Sequence, residues 1–80
     1  MYFVYVLKSA EDNNFYIGQT NNVAGRLKLH NAGKVNSTKS RAPFKLVGYK
    51  EFKTRSESRW VEFNLKHHSD KKEKFIKGLI

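Results

Sequence analysis

The sequence predicts an α+β domain in which helices flank a small three-stranded antiparallel sheet, in the element order ββαβαα. Aromatic and β-branched residues are concentrated, as in strands, in three segments: residues 2–7, 15–19 and 44–52. Capping residues followed by apolar residues at helical spacing mark three more: residues 23–30, residues 54–67 and a short stretch after Ser69. No repeat or linker separates these segments, so we expect residues 1–80 to form one domain.

The first two strands are expected to form an antiparallel hairpin across the turn residues 10–14. A turn centred near residues 10 and 11 would make Tyr5 and Tyr16 direct cross-strand partners on one face of the sheet. A slip of one residue would send one of the two tyrosines to the opposite face, because side chains alternate along a strand. The register therefore decides whether the two tyrosines can act together.

Capping side chains predict where the helices begin. Asn22 and the two polar residues before it precede the first helix, in which Val23 and Leu27 share one face. Thr54, followed by a glutamate three residues later, fits a capping box at the start of the second helix. Ser69 is expected to cap the last helix, which carries the apolar residues Phe75, Ile76 and Leu79.

The charge of the chain indicates a polyanionic partner. Sixteen Lys and Arg against seven Asp and Glu give a formal net charge of +9, and residues 13–50 contain no acidic residue. A small basic domain binds polyanions with release of their counterions, which favours nucleic acid, with an acidic membrane surface as the second choice. A merely solvated basic surface is the alternative, but ordinary solubility needs far less charge.

Two absences narrow the class of protein. The chain has no cysteine, which excludes disulfides and thiolate metal sites, so any metal must be bound by oxygen or imidazole. The apolar run at residues 2–7 is far shorter than the roughly 20 residues that span a bilayer, and no charged leader precedes it. We therefore expect a soluble cytoplasmic protein without a membrane segment.

The second helix places a carboxylate where a core residue is expected. Ser58, Val61, Glu62 and Leu65 recur at the spacing of one helix face. An isolated glutamate at such a position usually extends to solvent from the edge of the apolar face or pairs with a neighbouring arginine. In so basic a chain it could equally hold a divalent cation beside phosphates.

A second stripe on the same helix is predicted to be structural. Its members are Trp60, Phe63 and His67, at positions i, i+3 and i+7. We expect this stripe to pack against the apolar residues of the last helix.

Several motifs together resemble the GIY-YIG nuclease superfamily. They are "FVYVL" at 3–7, "YIG" at 16–18, Arg26 and His30 on the following helix, and Glu62 on a later one. The resemblance covers nearly the whole chain and is strongest to the small single-domain bacterial UPF0213-type members. The glycine of the first motif is replaced by Phe3, and no residue after Glu62 takes the place of the asparagine that larger members use.

The resemblance implies a metal-dependent endonuclease acting on nucleic-acid phosphodiester bonds, with DNA as the favoured substrate. It assigns Tyr5 as general base or as the residue that orients the attacking water, and Tyr16 as a second positioning residue. Arg26 would stabilise charge on the phosphate, His30 would assist nearby, and Glu62 would bind Mg²⁺ or Mn²⁺. Because a free tyrosine has a pKa of about 10, Tyr5 would need cationic neighbours that lower this pKa.

Further residues are assigned to the second motif and to the basic loop. Gly18 belongs to the second motif. The basic loop is the polar stretch at residues 34–41, which resembles the corresponding loop of the UPF0213 group. It supplies the predicted nucleic-acid contacts Lys34, Thr38, Lys39 and Arg41.

Two other functions stay open at the level of sequence. One is a non-catalytic nucleic-acid-binding module on the same fold, and the other is a basic adaptor that recruits an acidic protein. Taken singly, each tyrosine could be an ordinary aromatic residue of a strand, and Arg26 and His30 could lie on the solvent-exposed side of an amphipathic helix. The coincidence of both tyrosines, the arginine and the embedded carboxylate favours the nuclease.

Overall fold

The predicted α+β class and element order are confirmed by a computed structural model, which describes all residues 1–80. An antiparallel sheet with the strand order β2-β1-β3 contains β1 (Tyr2–Ser9), β2 (Phe15–Thr20) and β3 (Phe44–Phe52). The three helices are α1 (Val23–Asn31), α2 (Arg55–His67) and α3 (Ser69–Leu79), and one 3₁₀ turn lies at Lys39–Arg41. No helix has the length and apolarity needed to cross a membrane.

The central strand β1 sends alternate side chains into two separate cores. Val4 and Val6 pack with Leu65 of α2 and Ile76 of α3 on one face of the sheet. Tyr5 and its neighbours on the other face pack against α1, in a cluster of Tyr5, Leu7, Phe44, Val23 and Leu27. The sheet is therefore covered on both faces, and Tyr5 lies on the face that α1 covers.

The hairpin register differs from the predicted one by an even number of residues. Tyr5 pairs with Gly18 and Leu7 pairs with Tyr16, so the prediction that the two tyrosines are direct partners is wrong. The turn is longer than expected because the Ser9 carbonyl accepts from Asn13 N–H, with Asn13 in the left-handed region at a φ of 59°. An even shift keeps Tyr5 and Tyr16 on one face, as diagonal neighbours.

Two of the three predicted helix caps are confirmed. The Asn22 side chain accepts a hydrogen bond from Gly25 N–H at 3.0 Å, and Thr54 Oγ1 accepts one from Glu57 N–H at 3.2 Å. Ser69 is instead the first residue of α3, and His68 precedes it without a capping hydrogen bond from its side chain.

The second stripe of α2 does not pack against α3, which corrects the prediction. Trp60 and Phe63 are 67% and 55% exposed. The apolar residues of α3 contribute instead to the core beneath the sheet, where Phe75, Ile76 and Leu79 pack with Val61 and Leu65 of α2. The outer face of α2 is left in solvent.

Candidate active site

Gly18 determines where the Tyr5 ring lies. Tyr5 is 1% exposed and crosses the backbone of its cross-strand partner Gly18. A Cβ on residue 18 would lie 2.5 Å from the Tyr5 hydroxyl oxygen and 2.6 Å from Cζ. Only glycine leaves room for the ring here, which explains why the second motif needs Gly18.

The Tyr5 hydroxyl is bonded to a fully buried histidine. His30 Nε2 lies 2.9 Å from the Tyr5 hydroxyl oxygen, and His30 Nδ1 lies 2.7 Å from Thr38 Oγ1. The rings of Tyr16 and Phe44 enclose the imidazole, with centroids 5.1 and 5.7 Å away. Burial, followed by the charge of Arg26, lowers the pKa of His30, so the neutral ring has one donor and one acceptor nitrogen.

Burial dominates the acidity of Tyr5. It raises the pKa of Tyr5 to about 12, although the interaction of the hydroxyl with the Arg26 side chain acts in the opposite direction. Repulsion from the Tyr16 oxygen and from the Glu62 carboxylate adds to the rise. Cationic neighbours therefore do not lower the pKa of Tyr5 below its ordinary value, and the hydroxyl keeps its proton at neutral pH.

Arg26 links this buried cluster to solvent. It is half-buried on α1, and its charge acts on both Tyr5 and His30. It also lines a polar concavity of about 300 Å³ between the end of β2 and α2, together with Tyr2, Gln19, Thr20, Asn21 and Arg55. Two guanidinium groups at one polar concavity are suited to an anion such as a phosphate.

The side chains of Tyr16 and Glu62 lie beside the buried cluster, at the edge strand β2. The Tyr16 ring centroid is 6.4 Å from that of Tyr5 and 5.4 Å from Lys66 Nζ. Lys66 in turn forms an ion pair with Glu62 at 3.3 Å. Although α2 packs beneath the opposite face of the sheet, its Glu62 and Lys66 side therefore borders the tyrosines. Of the two tyrosines, Arg26 and Glu62, only Arg26 lines the polar concavity, and the Tyr5 ring is buried.

Glu62 is the carboxylate available for a metal at this site. No group of three or more His, Cys, Asp or Glu side chains could hold a metal ion anywhere in the chain. One half-buried carboxylate fits a hard cation such as Mg²⁺, which commonly keeps several waters and takes its remaining ligands from substrate phosphates. The donor set therefore suits an ion that binds weakly without substrate.

The basic loop is only partly as predicted. Lys34 and Lys39 are exposed. Thr38 is fully buried against His30 and cannot contact nucleic acid, because its hydroxyl is the hydrogen-bond partner of the imidazole. Arg41 Nε donates to Asp12 Oδ2 at 2.7 Å, and the guanidinium lies over the Phe44 ring. Its charge is therefore already paired within the fold.

Sequence reasoning missed two residues that build the site. Asn31 joins α1 to β3, because its side chain accepts from Phe44 N–H at 2.6 Å and donates to the Phe44 carbonyl at 3.1 Å. This contact holds the helix that carries His30 over the sheet. Arg55, the first residue of α2, lines the same polar concavity as Arg26. A polar residue at a helix end and an arginine after a cap are too common to identify either role from sequence.

Comparisons with known proteins agree with the resemblance seen in the sequence. The family described as "GIY-YIG catalytic domain" matches residues 1–79. A UPF0213 protein of Limosilactobacillus reuteri is 39% identical over 79 residues, covering 94% of this chain and 81% of the relative. A UPF0213 protein of Listeria monocytogenes is 42% identical over 71 residues, covering 88% and 78%.

A solved structure resembles the fold as well. The solution NMR structure of a UPF0213 protein from Bacillus halodurans has a TM-score of 0.59 and 34% identity, covering 99% of this chain and 85% of that one. With the family match over nearly its full length and these relatives, the chain belongs to the GIY-YIG family.

Proposed function

We propose that this protein is a divalent-metal-dependent endonuclease that hydrolyses phosphodiester bonds, with DNA as the favoured substrate. The observation that carries the proposal is the position of the Tyr5 hydroxyl, 2.9 Å from His30 Nε2, in a buried cluster on which the charge of Arg26 acts. Burying a hydroxyl and an imidazole beside a guanidinium is unfavourable unless each is bonded. An aromatic core would be built more simply from phenylalanine and leucine, so these groups suggest chemistry.

Proton transfer through Tyr5 follows from its pKa and its partner. With a pKa of about 12, Tyr5 is rarely a free phenolate near pH 7. Because Tyr5 is 1% exposed, an attacking water would have to enter beside Arg26, and the hydroxyl would then take a proton from that water while giving its own proton to His30 Nε2. His30 Nδ1 then remains the donor to Thr38 Oγ1, which lies 2.7 Å away. In this arrangement His30 acts on Tyr5 and does not itself contact the phosphate.

The substrate phosphate would bind at the polar concavity. Arg26 and Arg55 line it from α1 and α2. A planar guanidinium matches two phosphate oxygens and would stabilise the charge that develops on them during the displacement. The charge of Arg26 also acts on the Tyr5 hydroxyl, so one side chain would connect the phosphate to the proton-transfer residues. Tyr16, at the edge of the cluster, would orient the attacking water.

Glu62 would hold the divalent cation. A bound Mg²⁺ or Mn²⁺ would neutralise charge on the leaving oxygen. Glu62 would have to give up its ion pair with Lys66, which is partly exposed and therefore weak. Freed in this way, Lys66 would be available for a neighbouring phosphate.

A non-catalytic nucleic-acid-binding module is the second candidate. The observation that favours it is the state of Glu62, which is paired with Lys66 and has no second carboxylate beside it to help hold a metal. Such a module would keep Arg26, Arg55 and the basic loop for phosphate contacts without turnover.

Incubation with labelled nucleic acids separates the two candidates. Single-stranded DNA, duplex DNA and RNA are each incubated with the protein in Mn²⁺ and in EDTA, beside a Glu62→Ala variant. A nuclease cuts at least one substrate in Mn²⁺ only, and Glu62→Ala abolishes the cutting. Tight binding without cutting of any substrate would establish the binding module instead.

A further inference from the structure

The outer face of α2 exposes two large aromatic side chains side by side. Trp60 and Phe63 are 67% and 55% exposed, and their rings are nearly parallel, with centroids 6.5 Å apart and planes at 15°. The ring of His67 continues the row, 4.3 Å from the Phe63 ring. We call Trp60, Phe63 and His67 the aromatic stripe. Its seven-residue span is about 10 Å along the helix, comparable to about three stacked bases.

A basic stripe runs next to the aromatic stripe on the same helix. Arg55, Arg59, Glu62 and Lys66 recur at positions i, i+4, i+7 and i+11, which places them together on the neighbouring face. Three of the four are cationic and exposed. This basic stripe lies between the aromatic stripe and the candidate active site, because Arg55 lines the polar concavity and Lys66 reaches Tyr16.

We infer that the aromatic stripe is a binding platform for the unpaired bases of single-stranded DNA. Bases would stack on Trp60 and Phe63 while Arg59 and Lys66 contact the phosphates of the same strand. Exposed aromatic rings beside a row of cations are the combination that binds single strands without sequence preference, because every base has a face to stack. The strand would then continue along the basic stripe to the concavity at Arg26 and Arg55.

This combination favours a single strand over the other possible occupants. In a duplex the base faces are stacked on one another, so Trp60 and Phe63 could stack only on a terminal or locally opened pair. An apolar groove of another protein would cover the rings, but it would also bring Arg59 and Lys66 to a surface that must then be acidic. The net charge of +9 and the continuity with a proposed phosphate site both favour a nucleic-acid strand.

The inference rests on the proposed nuclease function only for the destination of the strand, so binding is measured apart from cleavage. Fluorescence anisotropy in EDTA gives the affinity for three labelled oligonucleotides of equal length: a DNA single strand, its duplex and an abasic strand that keeps the phosphates. Trp60 is the sole tryptophan, so its quenching on titration with unlabelled strands reports base contact directly. A single-stranded RNA of the same sequence tests whether the sugar matters.

The test variant is Trp60→Ala with Phe63→Ala, and Tyr49→Ala is the matched control. Tyr49 is another exposed aromatic, 52% accessible, and it lies on β3 away from α2. We expect the double variant to bind the single strand at least about tenfold more weakly, with little change for the duplex and the abasic strand. Tyr49→Ala should bind all three like the natural protein. Trp60→Phe, which keeps a ring, should retain most of the affinity.

Three results would overturn the inference: unchanged single-strand affinity in the double variant, equal losses on all three oligonucleotides, or no quenching of Trp60. Cleavage in Mn²⁺ is scored separately. Selective single-strand binding without cleavage would sustain the platform and reject the nuclease. Cleavage by the natural protein, with no selective effect of the double variant on single-strand binding, would sustain the nuclease and reject the platform.

Discussion

The hydroxyl oxygen of Tyr5 lies 2.9 Å from Nε2 of His30, and both side chains are almost completely buried. The other imidazole nitrogen lies 2.7 Å from Thr38 Oγ1, so a row of three polar side chains runs from β1 through α1 into the loop. Both nitrogens of a buried imidazole are thus satisfied, which sets the orientation of the ring. Thr38 is in this way the residue that positions His30 against Tyr5.

Thr38→Val tests this positioning role. Valine has nearly the same shape but leaves His30 Nδ1 without a partner, so we expect the free energy of unfolding to fall by about 1–3 kcal/mol. Cleavage should fall with it, because His30 is no longer held against Tyr5. Urea unfolding and initial cleavage rates measure the two effects. Thr38→Ser should restore both, and Ser37→Ala, at an exposed neighbour, should change neither. Normal rates in Thr38→Val would leave Thr38 with a purely structural role.

The depressed pKa of His30 predicts how stability depends on pH. The folded protein holds His30 neutral below the ordinary value of 6.5, whereas the unfolded chain binds a proton there. The contribution of neutral His30 to the free energy of unfolding is therefore complete above about pH 6.5. It is lost as the pH falls through the folded pKa, and the free energy of unfolding then changes by at most about 1.4 kcal/mol per pH unit.

Unfolding experiments between about pH 5 and pH 7 measure this slope. His30→Gln should be less stable throughout, but its stability should change less over the same range. The pKa of Asp12 is lowered from 3.8, so Asp12 changes its charge only at still lower pH and does not contribute to the change in stability over this range. Parallel curves for the two proteins would show that His30 does not titrate as described.

The sequence predicts the sheet and the helices well because their signals are local. The capping box at Thr54 and the apolar spacing of Val23 and Leu27 each depend on residues within one helix. The hairpin register was missed because it depends on the turn, where Ser9 and Asn13 bond across a longer loop than expected. Even so, the shared face of Tyr5 and Tyr16 survives, since the error is an even number of residues.

The surroundings of the candidate site are less predictable because they depend on contacts distant in sequence. Thr38 and Lys39 are neighbours in one basic loop, yet Thr38 bonds to His30 and is buried while Lys39 is exposed. The pairing of Arg41 with Asp12 joins residues 29 positions apart. Trp60 and Phe63 share the periodicity of a buried face, and only the docking of α3 under the sheet shows that they are exposed.

Gly18→Ala should displace the Tyr5 ring. The added Cβ would lie 2.5 Å from the hydroxyl oxygen of a ring that is 1% exposed, so the ring would have to shift within the core. We expect a loss of about 1–3 kcal/mol of stability and a larger loss of cleavage, because the hydroxyl leaves His30. Thermal unfolding and cleavage rates measure these effects.

The matched control for this substitution is Gly78→Ala. Its Cβ would meet nothing within 4 Å on α3, so stability should rise slightly, since alanine favours a helix. If Gly18→Ala behaved like Gly78→Ala, the close approach of Tyr5 to residue 18 would be incorrect.

Glu62→Gln should separate cleavage from binding. The substitution removes the negative charge proposed to hold the metal, so cleavage in Mn²⁺ should be abolished. DNA affinity should be unchanged or slightly higher, because a negative charge beside the phosphates is gone. Stability should change by no more than about 0.5 kcal/mol, since the ion pair with Lys66 is partly exposed. Glu73→Gln, at an exposed position of α3, is the control. Cleavage at the natural rate in Glu62→Gln would rule out Glu62 as the metal ligand.

The three cations of the basic loop should not be equivalent. Lys34 and Lys39 are exposed, so the double variant Lys34→Ala, Lys39→Ala should bind duplex DNA more weakly. The slope of log affinity against log salt concentration should fall by about 0.9 for each phosphate that the variant no longer neutralises. Arg41 is already paired with Asp12 and packed on Phe44, so Arg41→Ala should lower the melting temperature with little effect on that slope. Affinity titrations at several salt concentrations, together with thermal melting, measure both. An unchanged slope in the double lysine variant would move the phosphate-binding surface to the lysines of the C-terminal helices, Lys66, Lys71, Lys72 and Lys74.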